Sequence, residues 1–114
     1  MLWLMAKGYQ ILGFRLKGPH GEIDILARRG RVLAVVEVKR RPTLAQAMEA
    51  LTLAQQTRLA DSAAALIRAR PAFTNLTPRI DIVALAPGRF PRHLRGLGFD
   101  GGGSDDAGTG DRGP

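Results

Sequence analysis

Cysteine is absent from the 114 residues, which excludes a disulfide scaffold, a thiolate zinc site and a cysteine nucleophile together. Aromatic side chains make up only 5%, so Trp3 and Tyr9, with Met5, are expected to cap a core rather than to stack on bases. No apolar run approaches the ~20 residues that a membrane span requires. The start, Met1-Leu2-Trp3-Leu4-Met5-Ala6, lacks a basic leader, and the expectation is a cytoplasmic protein without a membrane partner. Acidic residues are also few, 10 against 17 Lys and Arg. Four of those acids fall in residues 98–114, which are mostly Gly and Asp with no periodic apolar positions and are expected to form a disordered tail. Residues 1–97 then hold 16 basic and six acidic side chains, a formal +10, which favours polyanionic partners, nucleic acid before anionic membrane.

With 45% hydrophobic residues, residues 1–97 can bury the core of one small domain. Residues 1–7 fit the last turns of a helix. Tyr9 to Leu16 reads as a strand with Gly13 as a candidate bulge, followed by the turn Gly18-Pro19-His20-Gly21. Glu22 to Arg28 alternates acidic and apolar residues, Arg29-Gly30 can turn the chain, and Val32 to Lys39 is a strongly β-prone run. After Pro42, Thr43 with Gln46 forms a capping-box pattern. Leu44, Met48, Leu51, Leu59, Ala63, Leu66 and Ile67 then recur at helical spacing, with a candidate break near Leu53. A loop from Pro71 to Pro78 leads to a fourth strand, Ile80 to Ala86, ended by Pro87-Gly88. The order, helix remnant, three strands, helix, strand, makes the long helix the natural crossover between two parallel strands of an α/β domain.

Three of the six acids outside the tail, Glu22, Asp24 and Glu37, flank one hairpin set among Arg15, Lys17, Arg28, Arg29, Arg31, Lys39, Arg40 and Arg41. Strand alternation puts Glu22 and Asp24 on one face with Ile23 and Ile25 on the other, and Glu37 with Lys39 on one face. A two-residue turn at Arg29-Gly30 places 22 opposite 37 and 24 opposite 35. Three carboxylates converging on one strand face need a cation, from Lys39, from nearby arginines or from a metal. Hard oxygen donors at an open site favour magnesium or manganese over zinc, and such a site suits phosphodiester hydrolysis. The same alternation also describes an ordinary solvated strand face.

These segments carry a resemblance. Gly21-Glu22-Ile23-Asp24-Ile25-Leu26-Ala27, Val35-Val36-Glu37-Val38-Lys39-Arg40-Arg41 and Arg79-Ile80-Asp81-Ile82-Val83 resemble the YraN-type bacterial protein family, of the restriction endonuclease-like, or PD-(D/E)xK, nuclease superfamily. That resemblance implies a core of helix, three strands, helix and strand, a mixed four-stranded sheet with its first helix truncated here. It further implies Asp24 and Glu37 as ligands of Mg2+ or Mn2+, Lys39 as the catalytic lysine, and Glu22 as an auxiliary acid. Where the family commonly carries a lysine in the crossover helix, this chain has Gln55, a residue able to position water or phosphate. Arg15, Lys17, Arg40 and Arg41 complete the expected nucleic-acid-binding set, with DNA as the first candidate. A homodimer is compatible with the sequence.

Three functional expectations follow: a metal-dependent nuclease, a non-catalytic nucleic-acid-binding module on the same fold, and a scaffold with an acidic protein partner. Outside the hairpin, Asp81 is expected to pair with Arg79, the alternative being support of a basic residue at the site. His20 and His93 lack metal-ligand spacing and are expected at the surface. Arg89, Arg92 and Arg95 form a basic run that reads either as a phosphate contact or as a solvated tail.

Overall fold

A computed structural model describes residues 2–97; the Gly/Asp-rich tail expected from residue 98 onward lies outside them. The elements are α1 (Leu2–Ala6), β1 (Gln10–Gly18), β2 (Gly21–Arg29), β3 (Val32–Arg40), α2 (Leu44–Met48), α3 (Leu53–Ala69), a 3-10 turn (Pro71–Phe73), β4 (Thr77–Leu85) and β5 (Arg92–Leu97). They form an α/β fold around one mixed sheet in sequential order, β1 to β5. Only β3 and β4 run parallel; the antiparallel neighbours are joined by short turns. The parallel pair needs a crossover, and α2 and α3 provide it.

Both sheet faces are covered, which explains why Val32–Lys39 reads as a continuous apolar run rather than an alternating one. On the crossover face, Leu26, Leu33, Val35, Ile80 and Ile82 pack with Leu44, Ala47, Leu51, Leu59 and Ala63 of the helical segment. On the reverse face, Ile25, Ala27, Ala34, Val36 and Val83 pack with Leu4 of α1 and with Tyr9. Trp3 packs against this second cluster, whereas Met5, expected beside it, is about half exposed.

The helical segment breaks where expected. The Thr43 hydroxyl accepts the Gln46 N–H, and α2 then stops at Met48. The reciprocal capping box sits at the restart, where the Thr52 hydroxyl accepts the Gln55 N–H and Gln55 Oε1 accepts the Thr52 N–H. Gly13 lies at a register shift in the β1–β2 ladder, as the strand reading anticipated.

Four local expectations change. The β2–β3 turn is Gly30-Arg31 rather than Arg29-Gly30, because Arg29 pairs with Val32 and Gly30 takes a left-handed φ of 59° that glycine adopts at little cost. The register therefore moves by two residues, and the same side chains stay on the same face. Glu22 and Asp24 do not simply alternate: Ile23 joins the crossover-face core and Ile25 the reverse one. Arg15, between the β1 partners of those two isoleucines, has φ 51°, and the pleat is broken there. The basic run after β4 is no tail, since Arg92–Leu97 forms a fifth strand on β4. His93 belongs to that strand, and its side chain is only 2% exposed.

Candidate metal centre

The β2–β3 ladder has its last pair at Ile25–Val36. One residue further, the Asp24 carboxylate takes the place of a backbone carbonyl: Oδ2 accepts the Val38 N–H at 2.8 Å. Asp24 on β2 is thereby fixed between Glu37 and Lys39 on β3. Those two are spaced by one residue, so the pleat turns both toward the crossover helices, and both are buried. Lys39 Nζ lies 3.6 Å from Glu37 Oε2, while Glu37 Oε1 is buried and has no hydrogen-bond partner among the described residues. Arg58 of α3 closes the site from above. Its Nη1 donates to the carbonyls of His20 and Glu22, at 3.2 and 3.1 Å. Gly21 sits beneath that guanidinium with φ 103°, a backbone conformation that favours glycine, and a Cβ there would lie 2.8 Å from Nη1 and displace the guanidinium.

The electrostatics concentrate on Glu37. Burial and the neighbouring Asp24 carboxylate push its pKa above the usual carboxylate value of 4.5, against the opposing pull of Lys39 and Arg58. A buried carboxylate beside a second one, with an oxygen left unsatisfied, is the environment that a divalent cation relieves. Asp24 and Glu37 fit such an ion through hard oxygens. Among the described residues no group of three or more His, Cys, Asp or Glu forms a complete cage. The donor set therefore suits an ion that keeps several waters and substrate oxygens, as Mg2+ does.

The remaining expected residues surround this centre without entering it. Glu22 faces Arg15 across the β1–β2 pair, 3.6 Å away, with side chains 39% and 81% exposed, a contact of little energetic weight. Lys17, Arg40 and Arg41 are exposed. Gln55 is half-buried, its Oε1 engaged by the Thr52 N–H. Arg58 was not anticipated. The available signal was its place on the buried stripe of α3, one residue before Leu59 and four before Ser62.

A second polar cluster lies on the reverse face. Asp81 is fully buried and accepts from Arg79 through both oxygens, from His93 Nε2 at 2.8 Å and from the Gly96 N–H at 3.2 Å. The pairing expected with Arg79 is therefore present. Burial opposes the Asp81 charge, but the hydrogen bonds from His93 and Arg79 outweigh it and hold its pKa below 3.8. Lys7 Nζ lies 2.8 Å from His93 Nδ1. Lysine has only donors, so Nδ1 accepts and the ring proton sits on Nε2, aimed at Asp81. Burial holds His93 below its ordinary 6.5, against the pull of Asp81. Arg79 also donates to the Tyr9 hydroxyl. The cluster ties the segment between α1 and β1 to β4 and β5. Among the described residues, no helix is long and apolar enough to cross a membrane.

Residues 1–85 match the profile of the uncharacterised protein family UPF0102. A UPF0102 protein of Caulobacter vibrioides is 57% identical over 93 residues, covering 82% of this chain and 74% of the relative. Those of Parvibaculum lavamentivorans and Chelativorans sp. are 51% and 45% identical over 94 and 100 residues, covering 71% and 81% of the relatives and 82% and 83% of this chain. The chain belongs to the UPF0102, or YraN-type, family.

Proposed function

We propose that the protein is a divalent-metal-dependent nuclease that hydrolyses phosphodiester bonds in DNA or in a branched or structured nucleic acid. The observation that carries this reading is the convergence of Asp24, Glu37 and Lys39 around a buried Glu37 oxygen that has no partner among the described residues. Asp24 and Glu37 would hold Mg2+ or Mn2+, which when bound lowers the pKa of water and neutralises charge on phosphoryl oxygens. Lys39, pinned beside Glu37, donates toward the attacking water or the developing charge on the phosphoryl group. In hydrolysis the water oxygen bonds to phosphorus, the bond to the leaving oxygen breaks, and that oxygen gains a proton. Arg58 is positioned to add a fixed positive charge beside Glu37. Arg15, Lys17, Arg40 and Arg41 supply exposed cations that hold a phosphate backbone without reading sequence.

The test is cleavage of linear duplex, single-stranded and four-way-junction DNA with Mg2+ or Mn2+, alongside Glu37→Ala and an EDTA control. Activity abolished in both controls is the expected result. Binding that is unchanged by Glu37→Ala, with no cleavage under any metal, would overturn the nuclease reading in favour of a binding module on the same fold.

A further inference from the structure

The β1–β2 turn leans over the C-terminal half of α3, and between them lies a cavity of about 260 Å³. Its walls are apolar, formed by Leu16, Ile23, Ala65 and Leu66. Ser62 also lines it, a buried serine whose Oγ has no hydrogen-bond partner among the described residues. Two exposed cations, Lys17 and Arg70, stand at its mouth. Apolar walls and a cationic rim match a flat heterocycle with an attached phosphate better than they match a phosphate alone.

The cavity is also tied to the candidate metal centre. It is bounded by His20, Gly21 and Ile23, and Asp24 is the next residue of the strand. Three residues of strand cover about 10 Å, so Gly21 and Asp24 are within reach of neighbouring nucleotides of one strand. Arg58 joins the two places physically, since its guanidinium holds the His20 and Glu22 carbonyls and its charge acts on Glu37.

We propose that this cavity is a subsite for an unpaired base of the bound strand, next to the phosphate held at Asp24 and Glu37, with the apolar walls packing on the base and Lys17 and Arg70 holding its flanking phosphates. The inference rests on the nuclease reading and adds a preference: a base within a duplex cannot enter such a cavity without leaving its stack, whereas a single strand or a flap presents one freely. The protein therefore discriminates by the availability of an unpaired base.

The test is fluorescence anisotropy of the full chain in EDTA with a labelled oligothymidine and a labelled blunt duplex of equal charge, comparing wild type with Ala65→Phe, which fills the cavity. The wild type is expected to favour the single strand, and Ala65→Phe to reduce the ratio of single-strand to duplex affinity by about tenfold, the scale of one lost base contact. If Ala65→Phe does not fold, the exposed variant Arg70→Gln, outside the set that holds duplex, decides, with the ratio expected to fall several-fold. An unaltered ratio in a folded variant, or a wild type with no single-strand preference, overturns the subsite. Cleavage with Mg2+, measured in parallel, separates the two readings. Cleavage with an unaltered ratio removes the subsite alone, and the expected ratio without cleavage removes the nuclease alone.

Discussion

Glu37 has two neighbours that favour its charge, Lys39 and Arg58, and two conditions that oppose it, burial and Asp24; the opposition wins and its pKa is raised. A carboxyl with a raised folded pKa contributes stability that is fully present below the unfolded value of 4.5 and is lost as pH rises through the folded one. At neutral pH the metal-free protein therefore carries an unfavourable charge at this residue, and a bound divalent ion relieves it. Glu37→Gln should raise the melting temperature of the metal-free protein at pH ~7 by roughly 2–5 °C and abolish the further rise that millimolar MnCl2 gives the wild type. In the wild type, that metal-dependent rise should shrink as pH falls through the raised Glu37 pKa, because protons compete with the ion. A scanning-fluorimetry series across pH, with and without Mn2+, checks both statements. A Glu37→Gln protein that melts lower than wild type and still responds to Mn2+ would remove Glu37 from any metal centre.

At the scale of elements, the reverse-face cluster decides how β5 is held. β5 has the sequence Arg92-His93-Leu94-Arg95-Gly96-Leu97, which is short, charged and low in β-branched residues, and little in it signals a strand. Its position is set by Asp81, which accepts from His93 and from the Gly96 N–H at a register irregularity. That explains why the strand was illegible in the sequence: the signal is a buried acid on a different element. The hairpin was more legible. Its alternation brought Glu37 and Lys39 to one face as expected, but the break at Asp24 depends on a left-handed Arg15, a conformation that no glycine or asparagine announced. The capping box at Thr52 and Gln55 was written in the chain, but the pattern was read at Thr43 and Gln46 instead, and Arg58 was not read at all. The cluster also predicts a pH response. His93 faces Asp81 and Arg79 on β4 and Lys7 beyond α1, and its folded pKa lies below 6.5. The unfolded chain therefore takes up a proton first, and stability falls as pH drops below 6.5 toward the folded value. Asp81, with its pKa held low, loses its own contribution only at pH below about 4. Urea unfolding should show a stability decline as pH drops below 6.5 that His93→Gln removes. A decline of equal size in His93→Gln would assign it to other groups.

Across the whole molecule, charge and acid are arranged in opposition. Residues 1–97 carry a formal +10, yet both carboxylates of the candidate centre sit in the middle of the sheet, at the end of the β2–β3 ladder, with exposed arginines and lysines around them. A uniformly basic surface would hold a polyanion anywhere on the protein. A basic surface with one acidic pair, half-buried Asp24 beside buried Glu37, repels phosphate at that point until a cation arrives there, so the metal determines where the backbone comes closest. This arrangement predicts two separable salt effects. Duplex binding in EDTA should weaken steeply with salt, and the slope of log affinity against log salt should become shallower by about 0.9 for each phosphate contact removed. Replacing Arg15, Lys17, Arg40 and Arg41 by glutamine should therefore flatten the slope by up to about 3 to 4. Glu37→Ala should leave that slope intact while raising metal-free affinity, because it removes a repelling charge without removing a contact. A wild-type slope near zero would exclude backbone neutralisation as the source of binding, and with it the nucleic-acid partner on which the catalytic proposal depends.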